Sequence, residues 1–579
     1  MKNNTTTQLI SRPTLLVLFC SLLNLFTFVE SNGAIINVSS VSSLQTAING
    51  SKSGDIIILD DGTYIDNNLN INKSNITVKS ATPGGVFLNG TNDININGNF
   101  VVFSGFQFTS GDIGLSTVIE VNGNNNVMTQ LNFSDYYAQK YITIKAGTKY
   151  NEITYSNIEK KPAAAELGCT IQISTSPTVI GYHKIRYCSF KDFYGLGGDY
   201  GNEPIRIGLG AEYLNVSRTI VENCYFNNTG LGDSESISVK CQENIIRFCT
   251  FTNQQDAMLV FRNGDNNVAY SNFFINAGGI RVKEANNIFC YNNYFENSID
   301  AITYIYVAPL VPPTVLSPRT SNLNNINFIH NTFYNCGTID LGGVGATSNT
   351  WANNIFQKSS GAIFSNANSG TTWVGNIRKG SLGITIASGI TNVDPLLITN
   401  SDGYKGLSVG SPAIDAASSS YPALLDIPLT DDDPNLLFDT GRKPRPATIT
   451  LKDVGSDEFT TGVTTNRPLV LSEVGPSYLV VPLSVNTNEQ SGNKNTITIF
   501  PNPTTTSFSI ETSATIGELV KVAIYNLNGQ LVKKDGDFQK KSSTSQNNLY
   551  DVSDLNNGIY FVKVVSESDS RTQKLIIKR

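Results

Sequence analysis

The sequence is poor in charge, in histidine and in long helical patterns. Asp, Glu, Lys and Arg make up 15% of its 579 residues, well below the usual share of about a quarter. There are only two histidines, His183 and His330. Asn, Gly, Ser and Thr replace the missing charge, and no long stretch carries apolar residues at helical spacing. This composition excludes a helical bundle and is typical of a turn-rich all-β protein.

Disulfide, zinc and nucleic-acid signals are also missing. Seven cysteines follow residue 33, but their spacing matches neither a disulfide framework nor a zinc motif. The formal net charge of −6 argues against nucleic acid as a partner. It does not exclude an anionic substrate, because local basic clusters decide that.

The N-terminus has the pattern of a secretory signal peptide. Lys2 and Arg12 are followed by an apolar run from Leu15 to Phe28 and then by small and polar residues up to Gly33. A membrane anchor is the alternative, but it needs about 20 apolar residues. We therefore predict a signal peptide over residues 1–33, a secreted or cell-surface location, and no membrane span elsewhere.

The middle of the chain repeats a short strand in which a small polar or thiol residue precedes an aromatic residue. The closest copies are about 20 to 25 residues apart, a period typical of stacked or radial repeats. Propeller blades need about 40 residues each and leucine-rich repeats need regular leucines, so neither fits. The copies are "KIRYCSF" (184–190), "TIVENCYF" (219–226), "NIIRFCTF" (244–251), "NNVAYSNFF" (266–274), "NNIFCYNNYF" (286–295), "INFIHNTF" (326–333) and "TWANNIF" (350–356).

These repeats predict a right-handed parallel β-helix, in which short strands of successive coils pair at about 4.8 Å. One position of the repeat should then form an inward ladder, where asparagine amides bond to each other and free thiols act as small apolar groups. The ladder residues are Cys188, Cys224, Cys249, Asn272, Asn293, Asn331 and Asn354.

The ends of the β-helix need caps, because an open coil exposes strand edges and core. "VSSLQTAING" (41–50) has apolar residues at helical spacing and can cover the first coil, and "SGDIIILDDGTY" (53–64) should be the first strand and turn. We predict a β-helix domain over 34–459, a linker over 460–493 and a C-terminal domain over 494–579.

The C-terminal domain reads as a small β-sandwich, with alternating strands between "NPT", "NLNG" and "NNG" turns. The combination "FPNP…GQLV…GIYFVKV" closely resembles the C-terminal sorting domain of the type IX secretion system. A carbohydrate-binding sandwich is the alternative, but the segment lacks an exposed aromatic platform. The resemblance implies that the type IX machinery is a partner.

Chemistry-bearing residues are concentrated in "DSESISVKCQEN" (233–244). Asp233 and Glu235 precede Lys240, and Arg262 follows Lys240 by 22 residues, which is about one coil. Lys240 and Arg262 should therefore be neighbours on adjacent rungs. Asp233 and Glu235 are an even number of residues from the inward-facing Ile237, so a regular strand would direct their side chains into the core. Unpaired carboxylates in an apolar core are costly, so we expect a turn to direct them outward. Paired acids of this kind suit Ca²⁺, although a solvated salt-bridge cluster is the other interpretation.

At these residues the chain resembles polysaccharide lyase family 6, which includes alginate lyases and chondroitinase B. The matching segments are "DSESISVKCQEN", "FRNGDNN", "EPIRIG" and "GGIRV". The resemblance implies Lys240 as general base and Arg262 as general acid, with Arg206 and Arg281 binding substrate. It also implies Ca²⁺ held by Asp233, Glu235 and Asn202.

Three departures affect these assignments. The family usually has histidine where this chain has Asn263, and its Lys-to-Arg spacing is one residue shorter. The asparagine ligand of the family falls on Tyr200 without gaps, which leaves Asn202 or Asp199 as its replacement.

The resulting hypothesis is a lyase that cleaves an anionic, uronic-acid polysaccharide, alginate first, by Ca²⁺-assisted β-elimination. A chondroitin or dermatan sulfate lyase shares the same machinery and stays open. A C5-epimerase and a non-catalytic glycan-binding β-helix are the remaining alternatives.

Overall fold

The computed structural model is an all-β parallel β-helix of right-handed type. It describes residues 33–162, 168–195, 197–198, 201–255, 257–305, 323–342, 347–429, 439–440, 445–459, 467–479, 497–500, 502, 504–512, 519–525, 531–539, 548–565 and 570–578. The predicted signal peptide lies outside these ranges, apart from Gly33. Among the described residues, no helix has the length and apolar character needed to cross a membrane.

Each coil contributes strands to three parallel ladders. The first ladder is a 14-stranded sheet: Ile35–Val38, Ile56–Leu59, Thr77–Ser80, Val102–Ser104, Val127–Thr129, Glu152–Thr154, Lys184–Arg186, Ile220–Glu222, Ile245–Arg247, Val268–Tyr270, Ile288–Tyr291, Ile326–Ile329, Asn349–Ala352 and Thr371–Val374.

The second and third ladders join into a 24-stranded sheet because the earliest strands bend across both. The second ladder comprises Gly62–Ile71, Val86–Ile96, Phe106–Asp112, Asn132–Tyr137, Asn157–Glu159, Ser189–Lys191, Tyr225–Asn227, Thr250–Thr252, Phe273–Ile275, Tyr294–Glu296, Thr332–Tyr334, Ile355–Ala362, Asn376–Ser381 and Ile390–Asn392. The third comprises Thr117–Val121, Lys140–Ile144, Gly168–Ile173, Asn202–Ile207, Glu235–Val239, Met258–Arg262, Ile280–Lys283, Ile302–Ile305, Ile339–Asp340 and Phe364–Ser365.

The predicted inward ladder is confirmed. Asn272 donates to Oδ1 of Asn293 at 3.0 Å, Asn293 to Asn331 at 3.1 Å, and Asn331 to Asn354 at 3.0 Å. The thiols on the preceding rungs are buried, and all seven cysteines in the described part of the chain are free. Beside this ladder, phenylalanine rings stack with centroids 4.6 to 5.1 Å apart: Phe190, Phe226, Phe251, Phe274, Phe295, Phe333 and Phe356.

The N-terminal cap is confirmed as a helix over Val41–Gly50. Ser40 caps it by accepting from the backbone N–H of Ser43, and Leu44 and Ile48 are fully buried against the first coil. The first strand, however, is Ile35–Val38, which pairs in parallel with Ile56–Leu59. The prediction placed the first strand after the helix, because a short strand directly behind the signal peptide carries no repeat signal.

The coils end earlier than the predicted domain. The last strand of the ladders is Ile390–Asn392, and an antiparallel hairpin follows, Leu397–Thr399 with Lys405–Leu407. The described part of 408–459 is irregular and packs on the outside of the coils, where His330 Nδ1 lies 3.0 Å from the Asp453 carbonyl.

Residues 467–479, which fall in the predicted linker, lie along the β-helix as a strap. The N–H of Leu469 donates to Thr250 Oγ1 at 2.8 Å, that of Gly475 to the Tyr187 carbonyl at 2.7 Å, and that of Ser477 to Gln130 Oε1 at 2.8 Å. The strap therefore runs back along the axis, towards the N-terminal coils.

The chain divides into compact units Met1–Pro482 and Leu483–Arg579. In the second unit, Ile497–Phe500, Ser507–Thr512 and Asn548–Asp551 form one antiparallel sheet. Leu531–Gln539, Leu519–Tyr525, Gly558–Val565 and Ser570–Ile577 form another. Apolar residues of both sheets share one buried cluster, which includes Phe508, Ile524, Val562 and Leu575.

Candidate active site

The third ladder carries the predicted site on four consecutive strands. Its register pairs Arg206 with Ser238, Ser238 with Val260, and Val260 with Arg281, so these side chains form one column. The neighbouring residues on these strands, such as Ile205 and Ile237, are buried in the core. Strand alternation therefore places the column on the outer face of the ladder.

Lys240 and Arg262 lie on adjacent rungs. Val239 pairs with Phe261, and Lys240 and Arg262 are the residues that directly follow this pair. Arg262 in turn pairs with Lys283 on the following rung. The 22-residue offset in the sequence therefore gives the lateral neighbours that the repeat predicts. A row of three cationic side chains runs along the ladder.

Lys240 has a lowered pKa. Burial of the ammonium group is the largest cause, and the nearby cations Arg206 and Arg262 add to it, while Glu203 and Glu235 oppose it. A lowered pKa makes the neutral amine, which can accept a proton, more accessible near neutral pH. Burial therefore does more than neighbouring charge to activate this lysine.

Three carboxylates meet beside the cationic row. Glu203, Asp233 and Glu235 are all buried, and each can present one oxygen within 4.8 Å of the other two. Burial and the repulsion of Glu203 and Glu235 raise the pKa of Asp233 to about 8. Three buried acids this close cannot all stay ionised unless cations neutralise them.

A local irregularity, rather than the expected turn, places Glu235. Glu235 begins its strand, and the register towards the next strand shifts between Glu235 and Ile237. The shift frees the carboxylate from the inward parity of Ile237. Glu235 Oε1 then accepts from Arg262 Nη1 at 3.2 Å and from Arg281 Nη2 at 2.9 Å.

Asp233 lies just before that strand and is fixed by backbone groups. The N–H of Glu235 donates to Asp233 Oδ1 at 2.9 Å, and the N–H of Gly201 donates to Oδ2. Gly201 directly precedes Asn202, so the two acids of "DSES" and the strand Asn202–Ile207 meet at this point.

The donor set fits a hard cation such as Ca²⁺. Asn202 Oδ1 and Glu235 Oε2 are buried, and neither has a hydrogen-bond partner within the described residues. Unpartnered buried oxygens are costly unless they bind a ligand, and carboxylate and amide oxygens are the ligands that Ca²⁺ prefers. Asp199 and Tyr200, the other positions considered for the amide ligand, lie outside the described residues.

Each of the two predicted substrate-binding arginines is paired with an acid of the cluster. Arg206 binds both Glu203 oxygens, with Nε to Oε1 at 3.0 Å and Nη2 to Oε2 at 2.5 Å. Arg281 bonds to Glu235 and also donates to Ser234 Oγ at 3.3 Å. Both guanidinium groups are largely buried at the base of the site.

Sequence reasoning missed Glu203 and Lys283. Glu203 appeared only as part of "EPIRIG". Its spacing does not show that the beginning of the strand Asn202–Ile207 lies next to the beginning of Glu235–Val239, where the register shifts. Lys283 could have been found, since it follows Arg262 by 21 residues, one further coil. Asn263, at the family's histidine position, is fully buried with φ of 69°.

Comparison with protein families gives two matches. The family model described as Chondroitinase B covers residues 38–377, more than half of the chain. The model described as Secretion system C-terminal sorting domain covers residues 498–578. No curated protein matches the chain. The type IX sorting domain marks this chain as an exported protein, secreted or held at the cell surface.

Solved structures share the β-helix fold at low sequence identity. The polysaccharide lyase family 6 alginate lyase AlyGC superposes with a TM-score of 0.56 and 23% identity over 70% of this chain, which spans 60% of that protein's length. The alginate lyase AlyF-OU02, solved in complex with G6, superposes with a TM-score of 0.51 and 16% sequence identity. The match covers 66% of this chain and 91% of the AlyF-OU02 chain.

A third structure, the family 6 polysaccharide lyase Pedsa3628 from Pseudopedobacter saltans, gives a TM-score of 0.48 and 20% identity over 62% of this chain and 97% of its own. At these identities the two structures with TM-scores above 0.5 support the fold, and the family model carries the assignment. The chain belongs to the chondroitinase B family and ends in a type IX secretion sorting domain.

Proposed function

We propose that this protein is a polysaccharide lyase that cleaves a uronic-acid polysaccharide, with alginate as its substrate, by β-elimination. The observation that carries the proposal is the placement of Lys240 and Arg262 on adjacent rungs beside the carboxylates Glu203, Asp233 and Glu235. A binding surface alone has no need of a half-buried lysine with a lowered pKa.

The reaction needs a base and a proton donor on one side of the sugar chain. Neutral Lys240 accepts the C5 proton through Nζ, and the electron pair of that C–H bond forms the C4–C5 double bond as the C4–O bond breaks. Charged Arg262, as the proposed general acid, transfers a proton to the departing oxygen as the C4–O bond breaks. Solvent then returns a proton to Arg262 and takes one from Lys240, which restores both groups. Asn263 cannot replace either group, because an amide does not titrate in this range.

The acidic cluster supplies the proposed Ca²⁺ site. Asn202, Asp233 and Glu235 would hold the ion, and Glu203 is a further donor from the same cluster. Bound there, Ca²⁺ would neutralise the uronate carboxylate and so make the C5 proton easier to remove. Arg206 and Arg281 now neutralise Glu203 and Glu235, and we assign them to the substrate carboxylate once those acids bind a cation.

Alginate is the first substrate to test, because the compared structures with the higher TM-scores are described as alginate lyases. The name of the family model, Chondroitinase B, makes dermatan sulfate the second candidate. Both polymers yield an unsaturated product that absorbs ultraviolet light. Incubation with each polymer, with and without added Ca²⁺, should raise the absorbance with one of them.

The other functions predict different products. A C5-epimerase changes the ratio of the two uronates without shortening the chain, and a glycan-binding protein leaves the polymer intact. No absorbance rise with either polymer would exclude the lyase, and product chain length separates the remaining two.

For the second unit, we propose that the two antiparallel sheets form the β-sandwich and that the type IX machinery recognises this domain as its export signal. The shared core of the sheets supports this arrangement. The proposed limits remain 1–33 for the signal peptide, 34–459 for the catalytic domain, 460–493 for the linker and 494–579 for the sorting domain.

A further inference from the structure

A groove with exposed aromatic rings lies on the β-helix away from Lys240. It encloses about 410 Å³, and Phe100 and Tyr150 at its rim are 57% and 40% exposed. Both belong to the corner that joins the third ladder to the first, here called the first corner. The groove is lined by Asn99, Phe100, Asn124, Asn125, Gly147, Lys149, Tyr150 and Val179.

The backbone at the first corner disfavours aromatic residues. One residue per rung has a positive φ there, and Phe100 and Tyr150 both have φ of 56°. Asparagine adopts this conformation far more readily than bulky residues do. Five other rungs of the corner have asparagine at this position, and four have another residue. The asparagines are Asn75, Asn125, Asn266, Asn287 and Asn325, and the others are Tyr182, Arg218, Glu243 and Ser348. Phe100 and Tyr150 therefore hold a backbone conformation that asparagine adopts more readily.

The second corner of each coil joins the first ladder to the second. Aromatic residues at the second corner pack against each other. Tyr155 and Tyr187 stack there with centroids 4.8 Å apart, and both are half-buried. The strap 467–479 runs alongside and bonds to the Tyr187 carbonyl. At the first corner, Tyr150 also stacks on Tyr182 of the next rung, with ring centroids 5.4 Å apart. Phe100 and Tyr150 are nevertheless both exposed, so packing covers only part of their rings.

The groove offers the groups that an acidic sugar chain needs. Phe100 and Tyr150 are two rungs apart, about 10 Å, and the smaller Asn125 lies between them. Flat rings can cover the apolar faces of sugars, while side-chain amides bond to hydroxyl groups. The exposed ammonium of Lys149 makes no ion pair with any described residue and can meet a carboxylate.

The groove is also aligned with the proposed active site. Tyr150 follows the strand Lys140–Ile144, which is three rungs from the strand that precedes Lys240. Three rungs correspond to about 14 Å along the axis. A polymer that follows the outer face of the third ladder from Lys240 towards the N-terminal coils therefore reaches this corner.

We propose that the groove between Phe100 and Tyr150 is a secondary binding site for a uronate-containing polysaccharide, separate from the residues that cleave it. The inference rests on the proposed function for the identity of the polymer. It adds a holding site that lets the enzyme retain a long chain while its catalytic residues act on another part.

Binding can be tested apart from cleavage by gel electrophoresis with polymer cast in the gel. The full chain carrying Lys240→Ala is run through gels with alginate, dermatan sulfate or neutral hydroxyethylcellulose. A second protein carries Phe100→Asn and Tyr150→Asn together, in addition to Lys240→Ala, and is run through the same gels. Asparagine suits the backbone at both positions, which offsets the lost stacking of Tyr150 on Tyr182, so the thermal midpoint should change little. Leu396→Asn is the matched control, because Leu396 is also exposed, at 41%, and has φ of 51°.

The double substitution should weaken retention by a uronan about tenfold, a loss typical of two aromatic contacts, while Leu396→Asn leaves it unchanged. Equal retention of the double variant would overturn the proposal. So would no retention by either uronan, or equal retention by hydroxyethylcellulose. Failure of the lyase itself is recognised separately, as no double-bond absorbance from the protein with Lys240 intact.

Discussion

At the scale of single residues, the site depends on how burial redistributes charge. Partial burial lowers the pKa of Lys240, and burial raises the pKa of Asp233. Arg262 and Arg281 share one oxygen of Glu235. Each group alone would be costly inside the protein, but together they form a nearly balanced cluster that a cation and an anionic sugar can enter.

Removing one acid tests the metal site directly. Glu235→Gln keeps the shape of the side chain but removes its charge, so Ca²⁺ affinity should fall at least about 100-fold. Calorimetric titration with CaCl₂ measures this without any substrate. Glu159→Gln is the control, because Glu159 pairs with Lys191 at 2.6 Å on another ladder. Equal affinity of both variants would remove Glu235 from the ligands.

The raised pKa of Asp233 gives a pH dependence of known sign. Its folded-state pKa of about 8 lies above the ordinary value of 3.8, so the folded state binds the extra proton between these values. The contribution to stability is therefore complete below pH 4 and is lost as the pH rises towards 8, by at most about 1.4 kcal/mol per pH unit.

Without metal, the thermal midpoint should fall between pH 5 and pH 8.5, and Asp233→Asn should reduce that fall. Added Ca²⁺ should also reduce it, because the ion stabilises the ionised carboxylate. If Asp233→Asn has the same pH profile as the parent, Asp233 is not the group responsible.

At the scale of elements, the inward ladder sets the stacking of the coils. Asn293 Oδ1 accepts from both the backbone and the side chain of Asn272, and its own amide donates to the Ala269 carbonyl and to Asn331. Every amide in this stretch satisfies groups on two rungs. The thiol rungs make only weak sulfur hydrogen bonds in the same place.

Asn293→Ala should therefore lower the free energy of unfolding by about 3 kcal/mol, since it leaves several buried groups of its neighbours unpaired. Asn68→Ala, at an exposed strand position, should cost less than about 0.5 kcal/mol. Chemical denaturation of both variants gives the comparison. A small effect at Asn293 would mean that the ladder is not a main source of stability.

At the scale of the whole molecule, the two units should be separable at residue 482. A chain of residues 33–482 keeps the strap and should unfold at the temperature of the first unit in the full protein. A chain of residues 33–466 loses the contacts of Leu469, Gly475 and Ser477, so it should unfold several degrees lower. Identical midpoints for the two truncations would show that the strap adds no stability.

Most of the architecture could be predicted because the repeat itself encodes it. The spacing of Cys249 and Asn272 fixes the coil length, and that length in turn brings Arg262 beside Lys240. Features outside the repeat could not be predicted in this way. The strand Ile35–Val38 has no earlier copy to match, and Glu203 joins the acids through the shifted register at Glu235, which leaves no periodic trace.

The central claim is that Lys240 removes the proton that starts β-elimination, and the ultraviolet absorbance of the product tests it most directly. With alginate and Ca²⁺, Lys240→Ala should lower the initial rate at least about 100-fold, while Lys145→Ala, in the surface pair with Glu120, keeps the parent rate. An unchanged rate in Lys240→Ala would contradict the account.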